Sequence, residues 1–188
     1  MSKQKKLDSA GKDAFIDAVL SMLDEGINLR ELNLRKVAKR VGCAHTNAYN
    51  YFINYEELLW WCLREALERM TAMVDPEHDD LTAVYVDFAL KHPAWYRLIW
   101  LDPLSGQPPK GVAEYLDVPA QIYTRWITVR AGSKVSEDAL EKKASIFHGY
   151  LHGELSAITA GRLTGPKKKL KERVLSGAEL LFGLLFEN

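Results

Sequence analysis

Between Leu32 and Tyr55 this 188-residue chain carries side chains suited to reading nucleic acid. Arg35, Lys36, Lys39 and Arg40 precede Gly42, and His45, Thr46, Asn47, Tyr49 and Asn50 follow it. Asn pairs bidentately with adenine, Thr meets a thymine methyl, and His or Tyr donates to a phosphate or a base edge. From Asn28 to Phe52 there are five basic residues to one acidic. The whole chain has a formal net charge of zero, with nine basic to six acidic residues over 1–52 and sixteen to nineteen beyond. That local excess suits a phosphate-facing surface. A solvated basic face has the same composition, so charge alone does not choose between them.

The elements that must hold these residues are legible. Asn33 is a good helix N-cap. Leu34, Val37, Ala38 and Val41 follow at i, i+3, i+4 and i+7, one inward stripe. Gly42 can take the left-handed conformation that ends such a helix. Ala44 to Phe52 reads as a second short helix, with Ala48 and Phe52 inward. The pair forms a helix-turn-helix, whose second helix lies in the major groove. Two amphipathic helices at a polar corner, with no ligand, would share the spacing. A preceding helix, Ser9 to Glu25, buries Phe15, Ile16, Val19, Met22 and Leu23, ends at Gly26, and should hold the pair in place. Residues 1–8 read as a polar, Lys-rich tail, either simply solvated or a flexible arm onto DNA.

Leu32, Arg35, Val37, Ala38, Gly42, Ala48, Tyr49, Phe52, Glu56, Glu57 and Leu58 together resemble the DNA-binding domain of the TetR family of transcriptional regulators. The motif is gap-free and covers about the first third of the chain; beyond it the likeness is in length and helical character. Three residues depart from the family's pattern. Ala44 stands for a capping Ser, a loss of about 0.5–2 kcal/mol of helix stability. Tyr51 replaces a His, and Tyr55 replaces a Lys that often touches phosphate. The resemblance implies an all-α protein, with a three-helix DNA-binding domain over 1–53 and a helical effector-binding and dimerisation domain over 54–188. It implies DNA contacts from Arg35, Lys36, Lys39, Ala44, His45, Thr46, Asn47, Tyr49, Asn50, Tyr51 and Tyr55. The implied function is a repressor released from double-stranded operator DNA by a small hydrophobic effector.

The rest of the chain reads as helices without strand alternation. Asn54 to Val74 has several apolar faces, Glu56 and Glu57 in its first turn where the helix dipole favours anions, and a stop at Asp75-Pro76; it is the candidate lever between the domains. Asp79 or Asp80 caps a helix to Lys91, which His92-Pro93 breaks. Ala94 to Leu101 is short and aromatic, and Asp102 to Gly111 is a loop. Val112 to Ala131 is kinked or restarted at Pro119. Ser136 caps a helix to Arg162, and Pro166 opens a last one to Phe186.

Gly149, Gly153, Ala157 and Gly161 recur every four residues, and such small residues let another helix approach closely. With Val174, Ala178, Leu181 and Leu185 they form the expected homodimer interface; packing within one bundle is the other reading. A single helix-turn-helix reads few base pairs, which favours a two-fold pair. Phe88, Trp95, Tyr96, Trp100, Tyr123, Trp126, Phe147 and His148 are the candidate effector-binding residues; residue by residue an ordinary aromatic core fits them better, and it is the resemblance that implies a pocket. His148 and His152 at i, i+4 are too few for a metal, so no metal or cofactor is expected. Cys43 sits where a helix start often lowers a thiol's pKa; it reads as packing, as does Cys62. Two cysteines make no disulfide framework. No apolar core follows the basic start, and no run of about 18 apolar residues occurs, so a cytoplasmic protein without membrane contact is expected. No nucleophile, phosphate loop or paired-carboxylate pattern suggests an enzyme. Two alternatives stay open: a helical ligand-binding or protein-docking module that no longer reads DNA, and a helical enzyme acting on an apolar substrate.

Overall fold

In the computed structural model residues 11–75, 80–132 and 136–187 are described, and they are helical with no strand among them. The expectations for residues 1–8, for a helix start at Ser9, for Pro76 and for Asp79 as a cap lie outside those residues. In chain order the helices are α1 (Lys12–Asp24), α2 (Leu34–Val41), α3 (Tyr55–Thr71), α4 (Leu81–Lys91), α5 (Pro93–Trp100), α6 (Lys110–Ala113), α7 (Val118–Ala131), α8 (Glu137–Thr159) and α9 (Lys167–Phe182). Short 3-10 helices occupy Leu29–Glu31 and His45–Asn50, and a π turn covers Gly183–Glu187. Among the described residues no helix is long and apolar enough to cross a membrane.

Local chemistry sets these boundaries. The Lys36 amide donates to Asn33 Oδ1 at 3.1 Å and starts α2. Gly42, at φ +82°, ends it, with the Gly42 and Cys43 amides donating to the Ala38 carbonyl. Only glycine takes that conformation without a steric cost. Asn54 starts α3 by accepting from the Glu57 amide at 2.8 Å, while Glu57 reaches back to the Ile53 amide. Such a reciprocal pair satisfies two otherwise orphaned donors. Asp80 accepts from the Thr82 and Ala83 amides at the start of α4. His92 closes α4, because a residue before proline is pushed out of the helical region. Of the kink or restart expected at Pro119 within 112–131, the chain takes the restart, at Val118 with Pro119 in the first turn.

The His45–Asn50 segment corrects the expected α-helix from Ala44 to Phe52. Ala44 occupies the N-cap position but has no side-chain oxygen to receive a free amide. His, Thr and Asn are weak helix formers whose side chains compete for backbone bonds. The segment closes tighter turns instead, with the Asn47 amide on the Ala44 carbonyl and the Tyr51 amide on that of Ala48. Ser136 likewise precedes α8 without donating or accepting a side-chain capping bond.

The helices form two compact units, residues 1–68 with 97–116 and residues 69–96 with 117–188. These are drawn differently from the expected functional division at residue 53. Segment 97–116 belongs to the first unit because its residues meet α3: Trp60 Nε1 donates to the Ser105 carbonyl, and Arg64 lies over the Tyr115 ring. A Cβ at Gly111 would fall 2.9 Å from the Trp61 ring. In the first unit Phe15, Val19, Leu20, Val37, Ala48, Phe52, Leu58 and Ala66 are buried. In the second, the Trp126, Phe147, Phe182 and Phe186 rings pack in succession at 4.6–6.2 Å.

Candidate functional site

In the first unit α1 supports α2, and α2 supports the His45–Asn50 segment. Phe15 of α1 meets Phe52 edge-on at 6.1 Å. Arg40 at the end of α2 forms a bidentate pair with Glu25, 2.7 Å from Nη1 to Oε1, and Ser21 donates to the same carboxylate. That pair holds the Glu25 carboxyl below its usual range. It also neutralises Arg40, leaving Arg35, Lys36 and Lys39 as the exposed cations of α2. Of these, Lys36 donates to the Glu31 carbonyl at 2.6 Å.

The candidate reading residues fall into two groups. Ala44, His45, Thr46 and Asn50 are exposed, Tyr49 is 56% exposed, and Asn47 is half-buried. Tyr51 and Tyr55 behave otherwise. The Tyr51 ring packs against Phe15 at 6.1 Å and Phe52 at 6.3 Å. The Tyr55 hydroxyl is sealed from solvent with no hydrogen bond, and burial pushes its ionisation up. Both are half-buried rather than exposed, unlike most of the other candidate DNA-contact residues. Ile53, 83% exposed beside them, was not anticipated; an apolar residue in an otherwise polar turn was its only signal. Burial pushes the Cys43 thiol up, the reverse of the lowering expected at a helix start.

In the second unit the candidate effector residues separate. The His92 ring stacks on Trp95 at 4.3 Å, and Phe88 lies tilted against His92 at 5.8 Å. Trp126 and Phe147 belong to the apolar core. Trp100 lies in the first unit, half in solvent. Tyr96, Tyr123 and His148 come together in a polar layer with three residues that the candidate set lacks: Tyr85, His152 and Ser156. The Tyr96 hydroxyl is 2.8 Å from His152 Nδ1 and 3.4 Å from Ser156 Oγ. Tyr123 donates to the Ala144 carbonyl at 3.2 Å. His148 lies 5.5 Å from Tyr123, 6.2 Å from Tyr85 and 6.0 Å from the parallel His152 ring. Burial lowers both imidazole pKa values, and for His148 the neighbouring His152 adds to it. Among the described residues no three His, Cys, Asp or Glu side chains come together as a metal site. Glu154 is bound by Arg173 at 2.8 and 3.1 Å, which holds its carboxyl below the usual range. A separate open depression runs along α7, lined by Asp117, Gln121, Thr124 and Arg125 among others, and none of the candidate effector residues faces it.

The expected dimer residues also divide. Val174 and Ala178 are buried within the chain. Leu181 and Leu185 are half-buried. Val174 and Ala178 thus serve packing within the chain, the other reading of this stripe. Gly161 stands beyond the end of α8 in a turn at φ +69°, so the small-residue stripe stops at Ala157. Gly149 and Gly153 are exposed, and a Cβ at either would meet nothing within 4 Å. Exposed apolar residues of the same helices are Ile146 of α8 and Leu180 of α9, with Leu184 in the turn after it. Tyr150 crosses from α8 to α9 over Gly177, where a Cβ would fall 1.9 Å from its hydroxyl oxygen.

No known family model matches the chain, and no curated protein matches it.

Proposed function

We propose that this protein is a TetR-like DNA-binding transcriptional regulator, a repressor released from its operator by a small hydrophobic effector. One observation supports this most. An Asn-capped helix with exposed Arg35, Lys36 and Lys39 leads through a left-handed glycine into a segment that exposes His45, Thr46, Tyr49 and Asn50. Cations positioned beside hydrogen-bonding side chains are what phosphate contact and base readout need. Release would follow from a ligand that binds better to the form unable to seat on DNA, a coupling free energy between two sites. A cytoplasmic setting belongs to the same proposal.

The dimer belongs to it too, with a revised surface. The exposed Ile146, Gly149 and Gly153 of α8, with the exposed Leu180 and Leu184, are the apolar positions that a second copy would cover. Exposed apolar patches mark such contacts. A bulky Gly153→Trp substitution enters open space in one chain, so it should leave the fold intact and shift sedimentation from dimer to monomer. A wild-type monomer at micromolar concentration removes the dimer.

Footprinting of DNA upstream of the protein's own gene tests the regulator reading. The expected footprint spans two half-sites about one helical turn apart, ~34–36 Å. Arg35→Ala should flatten the salt dependence of binding. A helical ligand-binding or docking module that no longer reads DNA is the second reading. The missing cap at Ala44 and the buried Tyr55 hydroxyl favour it, and absence of any footprint would select it.

A further inference from the structure

We propose that the layer of Tyr85, Tyr96, Tyr123, His148, His152 and Ser156 is a binding site for an uncharged ring compound bearing one hydroxyl or carbonyl oxygen. Its regulatory meaning rests on the effector-release reading above, while the binding chemistry rests on the layer alone.

Four helices contribute residues of the second unit to it: α4 gives Tyr85, α5 Tyr96, α7 Tyr123, and α8 the remaining three. Packing alone does not call for these polar groups, since a buried hydroxyl without a hydrogen bond costs about 1–3 kcal/mol. The hydroxyls are not equally satisfied. Tyr96 engages His152 and Ser156, and Tyr123 engages the Ala144 carbonyl. The Tyr85 hydroxyl is sealed from solvent, in a residue only 8% exposed, and although it interacts with the neighbouring Tyr96 hydroxyl it makes no hydrogen bond of good geometry. A ligand oxygen placed against it removes that cost. The neighbouring surfaces are aromatic faces and edges, which favour a flat ring. Tyr123, His148, His152 and Ser156 are half-buried, so one edge of the layer is reachable from solvent.

Charge narrows the ligand further. Near neutral pH the two imidazoles stay uncharged, because burial opposes their protonation. The six side chains therefore offer a buried carboxylate or ammonium no counter-charge, and an unpaired buried charge is expensive. The site accordingly selects against ionised rings.

Three matched probes test this on the full chain at pH 7.5: p-cresol, toluene and p-toluate, each titrated by calorimetry. p-Cresol should bind about three- to tenfold more tightly than toluene, the range of one neutral hydrogen bond, with p-toluate weakest. Tyr85→Phe should bring p-cresol down to the toluene level and leave toluene unchanged. Should that variant misfold, Ser156→Ala, which loosens the anchor of Tyr96, should weaken p-cresol with little change for toluene. No saturable p-cresol binding, p-cresol no tighter than toluene, p-toluate as tight as p-cresol, or no response to these substitutions each overturns the proposal. DNA binding measured on the same samples separates the two readings. A protein with this ligand pattern and no operator affinity keeps the site and loses the regulator. One that binds DNA but lacks the pattern loses only the site.

Discussion

The His45–Asn50 segment and the layer of the second unit use the same kinds of side chain in opposite ways. At His45–Asn50 the His, Thr, Tyr and Asn side chains point to solvent, and apolar Ala48 and Phe52 hold the segment from beneath. In the layer, Tyr85 and Tyr96 point inward and are more than nine-tenths buried, and the histidines beside them are half-buried. The same hydrogen-bonding capacity is thus available to an external partner in one region and to an internal one in the other. What decides the direction is the supporting helix. α2 is a one-stripe amphipath, whereas α8 is flanked by α4, α7 and α9 and has polar positions on faces that must be covered.

Breaking the support of the head should have the largest effect. Phe52→Ala removes a ring 1% exposed against Phe15, and about 3–5 kcal/mol of stability should be lost in urea unfolding. In the second unit, Gly177→Ala forces Tyr150 off α9 and should cost about 1–3 kcal/mol. The cost should shrink in a Tyr150→Ala background, because the two changes share one contact. Helix starts give a finer comparison. Asn33→Ala should lose about 0.5–2 kcal/mol, and Ala44→Ser should gain up to a similar amount, read as shifts of the unfolding midpoint. A gain at Ala44 with the 3-10 segment turning α-helical would show that the missing cap sets its tight turns.

The pH dependence should be the smallest effect. Both layer histidines have folded pKa values below the unfolded value of about 6.5. The unfolded chain then binds more protons in that window, so stability rises with pH. It should be complete above pH ~6.5 and decline as pH falls through the unfolded value. His148→Gln should flatten that slope in urea midpoints measured between pH 5.5 and 7.5, and an unchanged slope would refute it.

How much was legible in the sequence follows from how local each signal is. The Asn33 cap, the Gly42 turn and the break at His92-Pro93 appear as expected, since each is settled within four residues. The 3-10 form of His45–Asn50 was foreshadowed by Ala44, whose missing side-chain oxygen was visible. The packing of Tyr51 was not, because it depends on Phe15, a residue distant in sequence. Val174 and Ala178 read correctly as an apolar stripe, but periodicity does not say which neighbour covers it. The layer was half visible. His148 and His152 show their i, i+4 spacing, while the bond from Tyr96 to His152 joins residues 56 apart and leaves no sequence pattern. Trp100 was grouped with the other aromatics by composition, and proximity in sequence did not translate into proximity in space.

The central claim is that the outward side chains of the first unit read base sequence. It is tested most directly by the ratio of affinities for the footprinted upstream duplex and for a scrambled duplex at physiological salt, in wild type and in Tyr49→Ala. Specific readers typically show ratios of ~10³–10⁷. The account predicts a strong preference in wild type that falls in Tyr49→Ala while affinity for the scrambled duplex barely changes. Equal affinity of the wild-type protein for both duplexes would contradict it.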